Sequence, residues 1–283
     1  MAERKAVLIT GSSSGIGAVG ARRLAAAGFH VYAGVRSDAD AARLDAELGA
    51  SCTPLVLDVT DSHAILAART HIERAGRGLY GLVNNAGIVV SGPLEAVTIA
   101  DLRQQLEVNV IGLVALTQAF LPLLRGSIGR IVNIGSASGR FAAPFTAPYA
   151  ASKFAVEAIS DALRVELAPF DIFVSLLEPG AIDTPIWAKA QVDGSARSAR
   201  HDPLMNDLYG PIEGATGKII AGIAKRAISP ERVAAAIEHA LIARRPKSRY
   251  VIGIDARVQI ALTWIPSRLR DRMIGYALEK VTA

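Results

Sequence analysis

Cysteine is nearly absent. Cys52 stands alone among 283 residues, so no disulfide can close within the chain, and a disulfide-stapled scaffold is excluded. It falls in the strand-like run Ser51–Leu57, where a buried structural thiol is expected rather than a reactive one. Aromatic residues make up only 5% against 51% hydrophobic residues overall, so aliphatic side chains must fill the core. Long uncharged apolar runs are missing. The first run, Ala6–Ile9, is too short for the apolar segment of a signal peptide and far too short to span a bilayer, and a cytoplasmic protein is expected. No repeat, low-complexity stretch or linker divides the chain, so one domain over residues 1–283 is expected. Basic residues are not interleaved with aromatics, so no nucleic-acid-binding pattern arises. No residue is assigned to a metal.

Acidic residues are few near the C-terminus. Residues 244–283 hold nine Lys/Arg against three Asp/Glu, so the net charge of +5 belongs to this tail. A solvated basic face is the simplest reading; an anionic substrate group or a membrane surface are the functional ones.

What is present is alternation. Short β-branched runs at Ala6–Thr10, His30–Val35, Thr53–Leu57, Gly81–Asn84, Arg130–Gly135, Phe173–Leu177 and Arg249–Ile252 are separated by helical patterns such as Ile16–Ala27, Ile99–Leu124, Tyr149–Pro169 and Pro230–Arg244. Runs apolar on both faces suit a sheet covered on both sides. The expected fold is α/β, a Rossmann-type, doubly wound parallel sheet of about seven strands, with ligands bound at the strand C-termini. Residues 185–228 break the alternation and read as a long irregular insertion, a lid or binding loop. Residues 254–283 form an extension.

The first strand runs into Thr10-Gly11-Ser12-Ser13-Ser14-Gly15-Ile16-Gly17 and then a helix. Gly11 permits the turn, Gly15 leaves room for a pyrophosphate, and Gly17 allows close helix packing, while the helix N-terminus offers N–H groups to phosphate. The hydroxyls of Ser12, Ser13 and Ser14 can add donors. After the second strand, Arg36 and Ser37 suit a 2′-phosphate, which favours NADP(H); Asp38 keeps NAD(H) open. Asp58, after the third strand, can accept from an adenine amino group or cap a helix. Asn84-Asn85-Ala86-Gly87 follows the fourth strand; its small residues let backbone approach a nucleotide, and its asparagines can tie loops to the sheet.

Ser136 follows the fifth strand. Tyr149 and Lys153 stand at i and i+4 just after Pro148, which suits the first turn of a helix, so both share a face. A lysine ammonium nearby would lower the pKa of the tyrosine and let it exchange a proton with a substrate oxygen, which Ser136 would hold. Asn109, an asparagine amid apolar neighbours, must find polar partners, and it could bend its helix and hold a water that feeds protons towards Lys153.

Together these features resemble the short-chain dehydrogenase/reductase family, over about the first 185 residues: Thr10-Gly11-x-x-x-Gly15-x-Gly17, Asn84-Asn85-Ala86-Gly87, Asn109, Ser136, Tyr149-x-x-x-Lys153 and Pro179-Gly180. The resemblance implies a catalytic tetrad of Asn109, Ser136, Tyr149 and Lys153, with Ser136 preferred over Ser138. It implies dinucleotide contacts from Gly11 and Ser13–Gly17 including Ile16, from Asp58 and Val59 at the adenine, from Asn85, Ala86 and Gly87 on the adenosine ribose side, and from Pro179, Gly180, Ile182 and Thr184 at the nicotinamide. It also implies a homodimer or homotetramer. One departure is Ser14, where NADP users of the family often carry a basic residue. Trp187 and Tyr209, with Ile186, Met205 and Leu208, would meet a lipophilic substrate, a ketone or secondary alcohol, beside Ser136 and Tyr149. Lys247–Gly253 adds a weaker similarity to steroid and retinol dehydrogenases. A non-catalytic NAD(P)-binding redox regulator and an NAD-dependent dehydrogenase of a small alcohol are the alternatives. Within Ala256–Ile265 the apolar spacing is helical; this basic end could touch a membrane peripherally, but its short length favours a cover for the active site or a subunit interface.

Overall fold

The computed structural model describes residues 4–198, 203–224 and 226–282. β1 (Ala6–Ile9), α1 (Gly15–Ala26), β2 (His30–Val35), α2 (Asp38–Leu48), β3 (Cys52–Val56), α3 (Ser62–Arg74) and β4 (Gly81–Asn84) form the first half. α4 (Ile99–Leu106) continues through a π-helical turn, Glu107–Ile111, into α5 (Gly112–Gly126). β5 (Arg130–Ile134), α6 (Ala147–Glu166), β6 (Phe173–Pro179), α7 (Pro185–Ser198), α8 (Pro203–Ala224), α9 (Glu231–Ile242), β7 (Arg249–Ile252), α10 (Ile254–Leu262) and α11 (Ser267–Thr282) complete it.

The seven strands make one parallel sheet in the order β3-β2-β1-β4-β5-β6-β7. Alternate side chains leave β1 in opposite directions. Val7 and Ile9 join Leu24, Val233, Ile237 and Leu241 in the core on one face. Ala6 and Leu8 join Ile72, Leu116, Phe120 and Leu124 on the other. Both faces are dry, which explains the continuous apolar runs.

The chain winds outward from β1 to β3, then returns to lay β4 against the other side of β1. That reversal opens a crevice above the C-termini of β1 and β4, where Thr10–Gly11 and Asn84–Gly87 lie. Cys52 is buried in the core and burial pushes its thiol up to about 11, so it is inert.

Two expectations need correction. The segment 185–228 is not irregular: its described residues are mostly the helices α7 and α8, with Asp193-Gly194-Ser195 inside the first and Pro211 inside the second. The pattern Ile99–Leu124 is not a uniform α-helix, because the π-turn interrupts it. That helix, counted as Ile99–Gly126, is also long and apolar enough by length and composition to cross a membrane, although Leu116, Phe120 and Leu124 face the sheet.

Candidate active site

The glycine loop is shaped by its backbone. Gly11 and Gly15 hold φ of +67° and +55°, a region that side chains disfavour. A Cβ on Gly17 would overlap the Gly11 carbonyl oxygen, so only glycine lets α1 start this close to β1. Ser14 occupies the N-cap of α1 without a side-chain capping bond. The N–H groups of the first turn therefore face outward without that local acceptor, as an anion site requires.

Neighbouring strands brace the loop. Thr10 Oγ1 accepts from the backbone N–H of Asn85 and Ala86 at 3.1 and 3.0 Å. Asn85 Nδ2 donates to the carbonyls of Thr10 and Gly11. Asn84 Nδ2 donates to Asn133 Oδ1 at 2.9 Å, tying β4 to β5. Asn85 thus acts through its amide on the loop itself, and Gly87 packs against Asn109 Oδ1. The Ser12 hydroxyl, expected to be free for a ligand, donates instead to Ile9 O at 2.9 Å.

At the end of β2, Arg36 is exposed and enters no ion pair among the described residues. The Ser37 hydroxyl, also expected at a phosphate, caps α2 by accepting from Asp40 N. Arg43 was missed by sequence reasoning. Its guanidinium donates to Ser13 O at 2.7 Å and to Asp40 Oδ1, placing a second cation beside the glycine loop. The available signal was its place on α2, one turn beyond Asp40.

Asp58 Oδ1 accepts from Thr60 N and Thr60 Oγ1, while the cap of α3 is Asp61. The helix-capping reading therefore moves from Asp58 to Asp61. Val59 is buried, and it leaves no space for a Cβ on Gly112 of α5.

Ser136, buried at the end of β5, accepts from Ser138 N at 3.1 Å. Its hydroxyl also faces the Tyr149 phenol, whereas Ser138 is held through its backbone. Pro148 lies in the first turn of α6, which carries Tyr149 and Lys153 on one face. Lys153 is buried, its Nζ donating to Ile134 O at 2.8 Å and standing 5.8 Å from the centre of the Tyr149 ring.

The electrostatics differ from the sequence expectation. Burial holds the Tyr149 pKa above its ordinary value, and the Ser136 hydroxyl only partly opposes this. Burial also lowers Lys153 to about 8. Desolvation penalises both charged forms, and the ammonium is turned to the Ile134 carbonyl rather than to the phenol oxygen.

Asn109 sits in the π-turn, a geometry that re-aims side chains within a helix. It clamps Ile88, accepting from its N–H at 2.9 Å and donating to its carbonyl at 3.1 Å, and donates to Ser152 Oγ at 3.0 Å. These contacts fix the Asn109 side chain between the Ile88 segment and α6. Gln105, fully buried one turn earlier, does the same for Ile88 and Val90. Gln105 and Ser152 were not foreseen; their signal was adjacency, four residues before Asn109 and one before Lys153.

After β6, Gly180 N donates to Ile252 O at 2.9 Å, and Ile182 bridges to Ile228. Thr184 packs beside Gly15, 3.1 Å from where its Cβ would stand. Of the four residues expected at the nicotinamide, Thr184 thus reaches the glycine loop, while Pro179 and Gly180 pair with Ile252 and Ile182 with Ile228. Trp187 was expected to face substrate, but its indole N–H donates to Ile182 O at 3.1 Å, leaving only its half-buried ring for that role. The Tyr209 hydroxyl donates to Glu95 Oε2 at 2.6 Å, and its ring meets Phe145 edge-on at 6.3 Å. This joins α8 to the loop beyond β4. α11 packs on α8, so that part of the extension covers this helix.

Residues 5–194 match the family described as short chain dehydrogenase. The chain is 38% identical to the NADPH-dependent 3-dehydrocapnine reductase of Ornithobacterium rhinotracheale, over 97% of this chain and 98% of that one. It is 35% identical to retinol dehydrogenase 5 of Mus musculus, over 97% and 89%. A short chain dehydrogenase of Burkholderia cenocepacia, solved in complex with NADP, superposes with a TM-score of 0.74 at 25% identity, over 96% of this chain and 98% of that one. The chain belongs to the short chain dehydrogenase family and is an NAD(P)-dependent oxidoreductase of alcohol and carbonyl groups.

Proposed function

We propose that this chain is an NADP(H)-dependent reductase of a lipophilic ketone, working on the corresponding secondary alcohol in reverse, with Tyr149 as the general acid and base. The observation that carries this is the facing pair of Ser136 and Tyr149 hydroxyls, with buried Lys153 one turn along α6. The bound dinucleotide would supply or accept the hydride. Ser136 orients the substrate oxygen and Tyr149 delivers its proton. Burial keeps the phenol protonated through neutral pH, which suits an acid and hence the reductive direction. Lys153 brings positive charge to the site below about pH 8. Asn109, Gln105 and Ser152 hold the segment Ile88–Val90 against α4 and α6.

The left-handed glycines, the space that Gly17 leaves and the uncapped start of α1 fit a pyrophosphate. Arg36, with Arg43 beside Ser13, supports the phosphorylated dinucleotide, as do the NADPH dependence named for one relative and the NADP held by one neighbour. NAD(H) is the second choice. For substrate, the support is the half-buried ring of Trp187, the apolar residues of α7 and α8, and relatives named for 3-dehydrocapnine and retinol. A cytoplasmic homo-oligomer completes the reading, tested by fractionation and light scattering.

A panel of carbonyls and alcohols with both dinucleotides tests the assignment. Tyr149→Phe should lose about a thousandfold in turnover while still binding NADPH. Turnover near wild type would remove Tyr149 from its role. Peripheral membrane contact is a second reading for the extension, favoured by exposed Ile254, Val258 and Trp264 among arginines. Flotation on anionic vesicles, comparing the full chain with one ending at Gly253, decides it.

A further inference from the structure

β6 and β7 end together, Pro179 opposite Ile252, and their ladder continues one step through Gly180 N to Ile252 O. There β7 turns away through Gly253, at φ +109°, into α10. The next donor on the β6 side, the N–H of Ala181, has lost its strand partner. Asp255, in the first turn of α10, supplies one: its Oδ2 accepts from Ala181 N at 2.6 Å. The carboxylate fills the space between the two strand exits. A Cβ on Gly180 would overlap it, and so would one on Gly253. Ala181 is buried, so without Asp255 its N–H would lack both strand and water.

The turn held this way, Pro179–Ile182, leads to Thr184 against Gly15. α10 itself packs on the turn Ala137–Gly139 that follows Ser136. We propose that Asp255 is a positioning residue for the dinucleotide: its carboxylate holds the Pro179–Ile182 turn in the shape that receives the nicotinamide half, which makes the C-terminal extension part of the cofactor site. This rests on the cofactor reading above.

The test compares equilibrium binding of NADPH and of adenosine 2′,5′-bisphosphate, which probes the distant half alone. Asp255→Ala should weaken NADPH binding about tenfold or more, since it removes a charged acceptor from a buried N–H. Its affinity for the bisphosphate should stay within about twofold, because the two halves of the site do not share this contact. Asp255→Asn keeps an acceptor oxygen and should recover most of the NADPH affinity. If Asp255→Ala fails to fold, Gly180→Ala drives a methyl into the carboxylate and should show the same split. Unchanged NADPH affinity, or equal losses for both ligands, would overturn the proposal alone. A wild-type protein that binds neither NADPH nor NADH would overturn the cofactor reading and this inference with it.

Discussion

Lys153 carries its ammonium into a site where the Ile134 carbonyl is its hydrogen-bond partner, and burial lowers its pKa from 10.5 to about 8. Between those values the folded chain binds fewer protons than the unfolded one, so this group makes stability rise with pH from about 8 to 10.5. Lys153→Met should flatten that rise in denaturant midpoints taken across pH 7 to 10. In turnover the sign is opposite, because the charge leaves as pH passes 8, and wild-type reduction should fall on that limb. Arg36 and Arg43 bear on a different quantity. Replacing either with Ala should raise the KM for NADPH about tenfold and leave that for NADH nearly unchanged, by steady-state kinetics. At this scale the placement of Tyr149 and Lys153 on one face of α6, beside Ser136, was legible from their spacing and their place after a strand. Ser12 and Ser37 were not: a hydroxyl next to unsatisfied backbone finds that backbone first, here Ile9 O and Asp40 N.

Among the elements, α4, the π-turn and α6 are joined by polar side chains rather than by apolar packing alone. Ser152 Oγ accepts from Asn109 and donates to Tyr149 O. Ser152→Ala leaves the Asn109 amide without that acceptor and should lower unfolding stability by about 1–3 kcal/mol in urea titrations. Farther along α6, Glu157 lies beside Glu178 of β6, with Arg249 of β7 bonded to Glu157 and to Asp161, and Arg140 facing Glu178. Among the described residues, one buried oxygen of each glutamate has no hydrogen-bond partner, and the neighbouring Glu178 adds to burial in favouring the protonated form of Glu157. Burial pushes Glu157 from 4.5 up to about 7. The folded chain then binds more protons than the unfolded one across that window, so stability falls as pH rises through it. Glu157→Gln should remove the fall and raise the melting temperature at pH 8, measured at intervals from pH 4 to 8. The helices α7 and α8 were hidden from sequence because Gly194, Gly210 and Pro211 lower local propensity; packing of α11 on α8 overrides it. The π-turn was hidden because a one-residue insertion leaves the apolar pattern of Ile99–Leu124 almost intact.

Over the whole molecule, the doubly wound parallel sheet was legible from the alternation of runs, whereas its strand order is seen in the structure alone. The role of the tail was not, because its apolar spacing serves a cover, an interface or a membrane equally well. The structure places α11 on α8 and Asp255 on the turn after β6, so the two parts of the tail are separable. A chain ending at Ile265 keeps α10. It should retain NADPH affinity while the KM for its carbonyl substrate changes severalfold.

The burial of Cys52 has a practical side. The chain's one thiol is buried, and burial raises its pKa to about 11, so background reaction with maleimides at neutral pH should be slight. The chain therefore needs no prior removal of native cysteines before site-specific labelling. A cysteine placed on exposed Leu208 of α8 and another at Leu94 beyond β4 would be the two reactive positions. A dye or spin label on each would read the distance between α8 and the loop beyond β4 during turnover.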